Sequence, residues 1–326
     1  MARVISMTSP DEAARWTGPG LPAWDPGTIA HHGADEHLVQ LDEGDLPGAR
    51  ASLWWTAVPT LEGHRLGVIG HYASANESAA RELLEAACAR LRQAGCTLAV
   101  GPMDGNTWRR YRWMTERGDQ PTFLMEPDNP AEWPTHWQSA GFAPLATYFS
   151  ALNTDLTYED TQVARAGERL HRAGVHLRAL DPTSFESDLR QIYAVSLRAF
   201  PSNYLYTPLP EEAFLAQYLA VRDRVRPELV LLAECAGEPV GYVFGIPDWL
   251  RGPATDTVIV KTVAVVPGRH VAGLGTWLVA RAQMVARDLG YRRVIHALMH
   301  ESNNSLNLSA RYAKPFRRYS LYSRSL

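Results

Sequence analysis

Apolar and polar positions alternate along this chain with two periods, and the changes between them divide it into two halves of similar rhythm. In the first half Arg50–Val58 and Arg65–Tyr72 are apolar runs of strand length. Glu77–Ala94 carries Leu83, Leu84, Ala87 and Leu91 at helical spacing, with Gly95 in the position of a C-terminal cap. Thr97–Gly101 is a short strand, Trp108–Trp137 an aromatic-rich stretch, and Gly141–Leu152 a strand or hairpin. Ahead of these, Thr8–Gly48 is rich in Pro, Gly, Asp and His, which predicts loops with a short helix near Pro10–Trp16.

The second half is clearer. Val175–Leu180 is a strand, Asp181 an N-cap, and Ser184–Phe200 and Pro210–Arg226 are helices. Leu229–Cys235 and Pro239–Ile246 form a hairpin through Ala236-Gly237-Glu238. Thr257–Val266 is a β-branched strand, Leu274–Leu289 a helix followed by Gly290, and Arg292–His300 a strand. Ser305–Tyr312 is the last helix and Arg317–Ser323 the closing strand. The order is mixed α/β, an antiparallel meander leading into a strand–helix–strand crossover. Because that crossover recurs at Arg65–Gly101 and Thr257–His300, the chain is expected to hold two copies of one fold. Residues 1–154 and 175–326 are the two units, and the polar segment 155–174 is a linking helix.

Composition narrows the class. The 326 residues suffice for two cores, and 46% hydrophobic with 21% charged residues describes a globular chain. No apolar run reaches the ~18 residues of a membrane span. Met1–Pro10 lacks the apolar core of a secretory signal, so a cytoplasmic location is expected. The three cysteines, Cys88, Cys96 and Cys235, are too scattered for a disulfide framework and are expected to be packing residues. A net charge of −3 gives no ground for a nucleic-acid partner. His31, His32 and His37 have no ligand set at fixed spacing, so no metal is expected.

The stretch richest in chemistry is Val263-Ala-Val-Val-Pro-Gly-Arg-His-Val-Ala-Gly-Leu-Gly-Thr276. A strand ends at Pro267, a glycine-containing turn follows, and a long helix begins near Gly273. Such a turn leaves backbone N–H groups unpaired at the positive end of the helix dipole, a geometry that binds phosphate. A turn that needs glycine only for its backbone conformation reads the same way. Neither a dinucleotide fingerprint nor a P-loop fits, since Leu278 stands where the third glycine is required and no Gly-Lys-[Ser/Thr] follows.

Here the chain resembles the GNAT acetyltransferases, which carry [Gln/Arg]-x-x-Gly-x-[Gly/Ala] between strand and helix around the pyrophosphate of acetyl-CoA. This sequence has His270-x-x-Gly273-x-Gly275 after Val263-Ala-Val-Val-Pro, with His in the first place and Arg269 beside it. Downstream, Asn303-Asn304 follow the fifth strand, and Ser-Ala-Arg-Tyr312 leads to Lys314-Pro-Phe316, where Pro315 replaces the family's Gly. The resemblance implies two GNAT-like mixed-sheet domains in tandem, the first of them degenerate. It implies acetyl-CoA as cosubstrate, held by Arg269, His270, Val271, Ala272, Gly273, Leu274, Gly275 and Thr276, by an amide of Val263 or Val265, and by Asn303 and Asn304. Tyr312 is then the general acid for the departing thiolate, and the reaction is direct attack by the amine of a small molecule on the thioester. The base stays open among Glu234, Asp256, His296, His300 and Glu301, or a water chain.

In the first half the corresponding loop, His71–Ala80, has no glycine and places Glu77 and Glu82 near the helix start, so no cofactor is expected there. Gly101-Pro-Met-Asp-Gly-Asn-Thr-Trp-Arg-Arg-Tyr111 is either a pocket-lining loop or a turn packed against the other half. A non-catalytic acyl-CoA sensor is the alternative function. Aminoacyl transfer from tRNA is disfavoured by the loop and by the charge. Homodimerisation and the acceptor are open.

Overall fold

The computed structural model describes residues 3–302 and 309–326. The first half runs β1 (Arg3–Met7), α1 (Pro10–Ala14), α2 (Pro26–His32), β2 (Glu36–Leu41), β3 (Pro47–Trp54), β4 (Leu66–Ser74), α3 (Glu77–Gln93) and β5 (Leu98–Gly101). It continues through β6 (Trp113–Glu116), α4 (Trp133–Ser139) and β7 (Ala143–Asn153), and α5 (Thr161–Arg172) links it to the second half. There follow β8 (Val175–Ala179), α6 (Phe185–Ala199), α7 (Glu211–Leu219), β9 (Val230–Cys235) and β10 (Glu238–Pro247). The chain closes with β11 (Thr257–Val265), α8 (Leu274–Asp288), β12 (Arg293–His300) and β13 (Lys314–Ser325). Among the described residues no helix is long and apolar enough to cross a membrane.

All thirteen strands join one sheet, in the order β1-β2-β3-β4-β5-β13-β7-β12-β11-β10-β9-β8, with β6 on β13. The two halves therefore exchange their last strands. β13 lies antiparallel between β5 (Tyr322 opposite Gly101) and β7 (Tyr319 opposite Tyr148). β7 in turn pairs with β12, Ile295 standing opposite Leu152. The final strand thus completes the sheet of the other half. Tyr319, fully buried at this seam, donates its one proton to the buried Glu126 carboxylate, which pairs with Arg317, and accepts from Ser150 Oγ at 3.0 Å.

The helices form where the sequence periodicity places them. α3 turns Leu83, Leu84, Ala87 and Leu91 onto β3 and β4, and α8 buries Leu274, Leu278, Ala282 and Ala286 against β10 and β11. Each fully buried leucine contributes about 1.5–3 kcal/mol over its exposed state. Gly95 and Gly290 follow these helices with φ of 84° and 91°, as a C-terminal cap requires. Cys88 and Cys96 are buried in the core, and burial pushes the Cys88 thiol up to about 11, which keeps it unreactive.

Two elements correct the expectation of loops over Thr8–Gly48: α2 and β2 lie there, with β1 before them and β3 beginning at the end of the stretch. β2 escapes a pattern reading because its polar residues are buried and paired. Glu36 accepts from Arg90 at 3.0 Å, His37 Nδ1 lies 2.7 Å from Ser52 Oγ, and Gln40 donates to Glu82 at 2.9 Å. The helix expected over Pro210–Arg226 stops at Leu219, and one 3₁₀ turn at Arg222–Arg224 returns Val225 to the core.

Candidate active site

β11 and β12 are parallel and paired from Thr257–Arg293 to Val260–His296. Beyond those residues the ladder ends and the strands separate. β11 keeps β10 on one side through Val265, while β12 continues against β7 to His300. A bulge at Phe244/Gly245, opposite Lys261, marks where the separation begins. The result is a V-shaped opening, with Val263 and Val265 on one wall and a backbone edge free of strand partners facing into it.

At the end of β11 the chain makes one 3₁₀ turn, Arg269–Val271, and enters α8 through Gly273. Gly273 has φ 89°, a left-handed conformation that a side chain strains, and a Cβ there meets Ala166 Cβ and Arg169 Nη2 at 3.4 Å each. Among the described residues no side chain caps α8, and no acidic residue occupies its first turn. The first-turn residues Leu274, Gly275 and Thr276 thus present the positive end of the helix uncompensated. Val271 and Leu274 anchor the turn in the core, while Arg269, His270, Ala272 and Gly273 are exposed. His270 folds over the turn, its ring filling the space where a Cβ of Gly268 would sit.

One contributor has no local sequence signal. Arg169, on α5, donates from Nη2 to the Ala272 carbonyl at 2.7 Å. It brings a cation to the glycine turn from 103 residues upstream.

The first half lacks this opening. β4 and β5 pair only from Leu66–Leu98 to Val68–Val100, but the following segment fills the gap. Met103 donates its amide to the Ile69 carbonyl at 2.9 Å, and the His71 amide donates to Asp104 Oδ1 at 2.6 Å. Gly70 is needed for this closure, since a Cβ there would lie 2.1 Å from the Met103 carbonyl oxygen. At the start of α3, Asn76 Oδ1 accepts from the Ala79 amide at 2.9 Å and Glu77 follows in the first turn. The helix end that α8 leaves bare is capped and acidic in α3. The loop after β5 packs on the other half: Trp108 donates to the Thr207 carbonyl at 2.7 Å and meets the Phe214 ring edge-on at 5.8 Å.

Tyr312 lies apart from the glycine turn. It lines a cavity of about 550 Å³ between α5 and α8, shared with Asn153, Tyr158, Asp160, Trp277 and Gln283, to which no residue of 263–276 contributes. Its hydroxyl is buried and has no hydrogen-bond partner among the described residues, and burial pushes it up to about 12. Asn303 and Asn304 lie outside the described residues, as does the first half of the helix expected at Ser305–Tyr312.

The base candidates are largely engaged. Glu234 accepts from Arg178 at 2.7 Å, Asp256 accepts from Thr257 Oγ1 at 2.8 Å beside Arg293, and Glu301 pairs with Arg318. His296 is buried with Nδ1 2.9 Å from Ser309 Oγ, and burial lowers it to about 4. His300 stands on the far wall of the opening between Tyr148 and Tyr204, its Nδ1 accepting from the Ser302 amide at 3.1 Å. Burial, and Arg112 beside it, lower its pKa.

Comparison with known proteins agrees with this geometry. Residues 189–311 match the model of the acetyltransferase (GNAT) family. A bacterial ceramide synthase of Caulobacter vibrioides is 26% identical over 195 residues, which is 59% of this chain and 50% of that protein, so the match spans half the relative's length. A probable N-acyltransferase of unknown function from Enterococcus faecalis superposes with a TM-score of 0.58 at 11% identity, over 100% of this chain and 73% of its own. A tandem GNAT protein from the clavulanic acid biosynthesis pathway superposes with a TM-score of 0.50 at 13% identity, over 100% and 98% of the two chains. At such identities the structural likeness is one of fold, and it extends over both halves. The fold is two GNAT-like mixed-sheet units in tandem, and residues 189–311, which hold the open strands and the glycine turn, are the part of the chain that is similar to the acetyltransferase (GNAT) family.

Proposed function

We propose that the chain is an acetyl-CoA-dependent N-acetyltransferase that acetylates the amine of a small molecule. The observation that carries this reading is the bare, glycine-started N-terminus of α8 at the mouth of the β11–β12 opening. The residues present fit the cofactor: the φ of 89° at Gly273 disfavours a side chain that would stand over the turn, and no acidic residue in the first turn competes for its amides. The amides of the 273–276 turn, with Arg169 and Arg269, hold the pyrophosphate. The free edge of β11 at Val263 and Val265 holds the pantetheine arm in the opening. Bound there, acetyl-CoA supplies an acyl group activated as a thioester.

The protein then brings the amine against that acyl group, a gain of proximity and orientation more than of acid–base power. Tyr312 stays protonated at neutral pH and donates its proton to the departing thiolate. The amine's own proton passes to water, since Glu234, Asp256, His296 and Glu301 are tied into other contacts and His300 Nδ1 accepts from the Ser302 amide. In this reading residues 1–154 are a degenerate unit, 155–174 the link and 175–326 the catalytic unit, working in the cytoplasm without nucleic acid. The test is acetyl-CoA hydrolysis and transfer across a panel of small amines by purified protein. Turnover that depends on Gly273 and Tyr312 supports the reading, and its absence with every amine counts against it.

A second reading, an acyl-CoA sensor without turnover, is favoured by Tyr312 itself. Tyr312 lines a cavity to which the turn contributes no residue, and a phenol pushed up to about 12 is a weaker donor to a thiolate of pKa about 8.5 than a free one. Tight acetyl-CoA binding with no turnover would select it.

A further inference from the structure

The first half contains a cavity of about 430 Å³ bounded by α2, β3, β4 and the segment after β5, and no residue of the glycine turn lines it. Four arginines line it, Arg50, Arg109, Arg110 and Arg112, against two carboxylates. Both carboxylates are engaged. Asp104 accepts the His71 amide at 2.6 Å, and Asp25 accepts from Thr28 within its own helix start.

Three of the arginines also have partners. Arg109 donates to the carbonyls of His32 and Asp104 at 2.7 and 3.2 Å, Arg110 donates to the Asp128 carbonyl, and Arg112 donates to the Leu298 carbonyl at 3.2 Å. Arg50 has none: among the described residues it makes no hydrogen bond and no ion pair, although it is only 5% exposed. Its guanidinium lies over the Trp24 ring at 4.4 Å, and its Nε and Nη1 are buried without an acceptor. Burial pulls its pKa down to about 10, so it remains charged at neutral pH.

A buried guanidinium with no acceptor is a costly arrangement, and the usual resolution is an anion or hydrogen-bond acceptor that the site is built to receive. The same walls hold further unused donors. The indole N–H groups of Trp24 and Trp113 are both buried without acceptors. The cavity is therefore rich in donors and positive charge and poor in acceptors, and its other surfaces are aromatic and apolar, including Trp133 and Ile29.

His32, His71 and Asp104 bring three ligating atoms within 4.8 Å of one another, which is the arrangement of a cation site. The charges around them oppose that use. Burial first and then Arg109 depress the pKa of His32, burial first and then His37, Arg109 and Arg50 depress that of His71, and the positive field of the arginines repels a divalent ion.

We infer that this cavity binds a small organic acid, its carboxylate on the Arg50 guanidinium and its apolar body against the aromatic wall. Planar carboxylates match the guanidinium fork, and the volume suits a compact ligand. The site is independent of the reading given to the α8 turn and stands or falls separately from it.

Calorimetric titration of the full chain tests it, with benzoate and 1-naphthoate as probes, their neutral amides as controls, and inorganic phosphate and zinc as competitors. Saturable binding of a carboxylate is expected, at least tenfold tighter than its amide, weakened at least tenfold by Arg50→Met and only in part by Arg50→Lys. The Arg50→Met variant is expected to melt no lower than the parent, because it removes an unpaired buried charge. Should it fail to fold, the Lys variant decides, since it must weaken the carboxylate while leaving the amide unchanged. Equal affinity for acid and amide, binding indifferent to both Arg50 variants, or no saturable binding of either acid overturns the inference. Binding of phosphate alone, or of zinc alone through His71, overturns it as well.

Discussion

Arg169 on the linking helix donates to the Ala272 carbonyl at 2.7 Å, so the helix between the two halves is hydrogen-bonded to the turn that starts α8. The contact sets the position of that turn from outside its own unit and places a mobile-ended cation beside it. Replacement by Ala is expected to weaken acetyl-CoA binding on the order of tenfold, about 1.4 kcal/mol, while leaving the melting temperature within a degree or two. The Lys variant should recover part of the affinity. The loss should shrink at high salt, because the side chain is exposed. An unchanged affinity in the Ala variant would leave Arg169 a purely structural tie.

Tyr312 separates the two functional readings. If it donates a proton to the leaving thiolate, Tyr312→Phe should lower kcat on the order of a hundredfold with KM changed less than about threefold. Stability should hold or rise slightly, because the hydroxyl it removes has no partner. Steady-state kinetics and a thermal melt on the same preparation check both parts.

The buried histidines predict an acid-labile fold. His296 and His32 are lowered to about 4 and His71 to about 3, chiefly by burial. Between these values and the unfolded value of 6.5, the unfolded chain binds more protons than the folded one. Stability should therefore be full above pH 6.5 and fall as pH drops toward 4. His296→Asn is expected to flatten that slope, measured as the urea midpoint between pH 7.5 and 4.5. A parent midpoint independent of pH over this range would contradict the burial of all three rings.

The exchanged strands make a prediction about cooperativity. β13 pairs with β5 and β7, and β7 pairs with β12, so neither half holds a complete sheet alone. The full chain should unfold in a single calorimetric transition. Removing residues 314–326 should destabilise both halves at once by exposing the edges of β5 and β7. Two separate transitions in the full chain would contradict this.

What the sequence made legible follows from how local each signal is. α3 and α8, with their apolar stripes and trailing glycines, and the meander β9–β10–β11 were all readable, because period and turn chemistry lie within a few residues of each other. β2 was not, because Glu36, His37 and Gln40 look like loop residues until Arg90, Ser52 and Glu82 arrive from elsewhere to pair with them. The strand exchange is not legible for a related reason: nothing in Lys314–Ser325 states which edge it will meet. In the site, the Gly273 turn was legible as a motif, and Arg169 was not, since its role exists only once α5 packs on α8. The unused donors around Arg50 were equally invisible, as they come from the segment before α2, from β3 and from β6.

The central claim is that the bare N-terminus of α8 holds acetyl-CoA, and calorimetric titration of the parent beside Gly273→Glu tests it most directly. The variant puts a side chain where φ is 89° and Ala166 and Arg169 stand close, and adds a negative charge at the pyrophosphate position. Micromolar binding by the parent, lost in a variant that still melts cooperatively, is the predicted result. No binding by the parent, or equal binding by the folded variant, would contradict the placement of the cofactor on this turn.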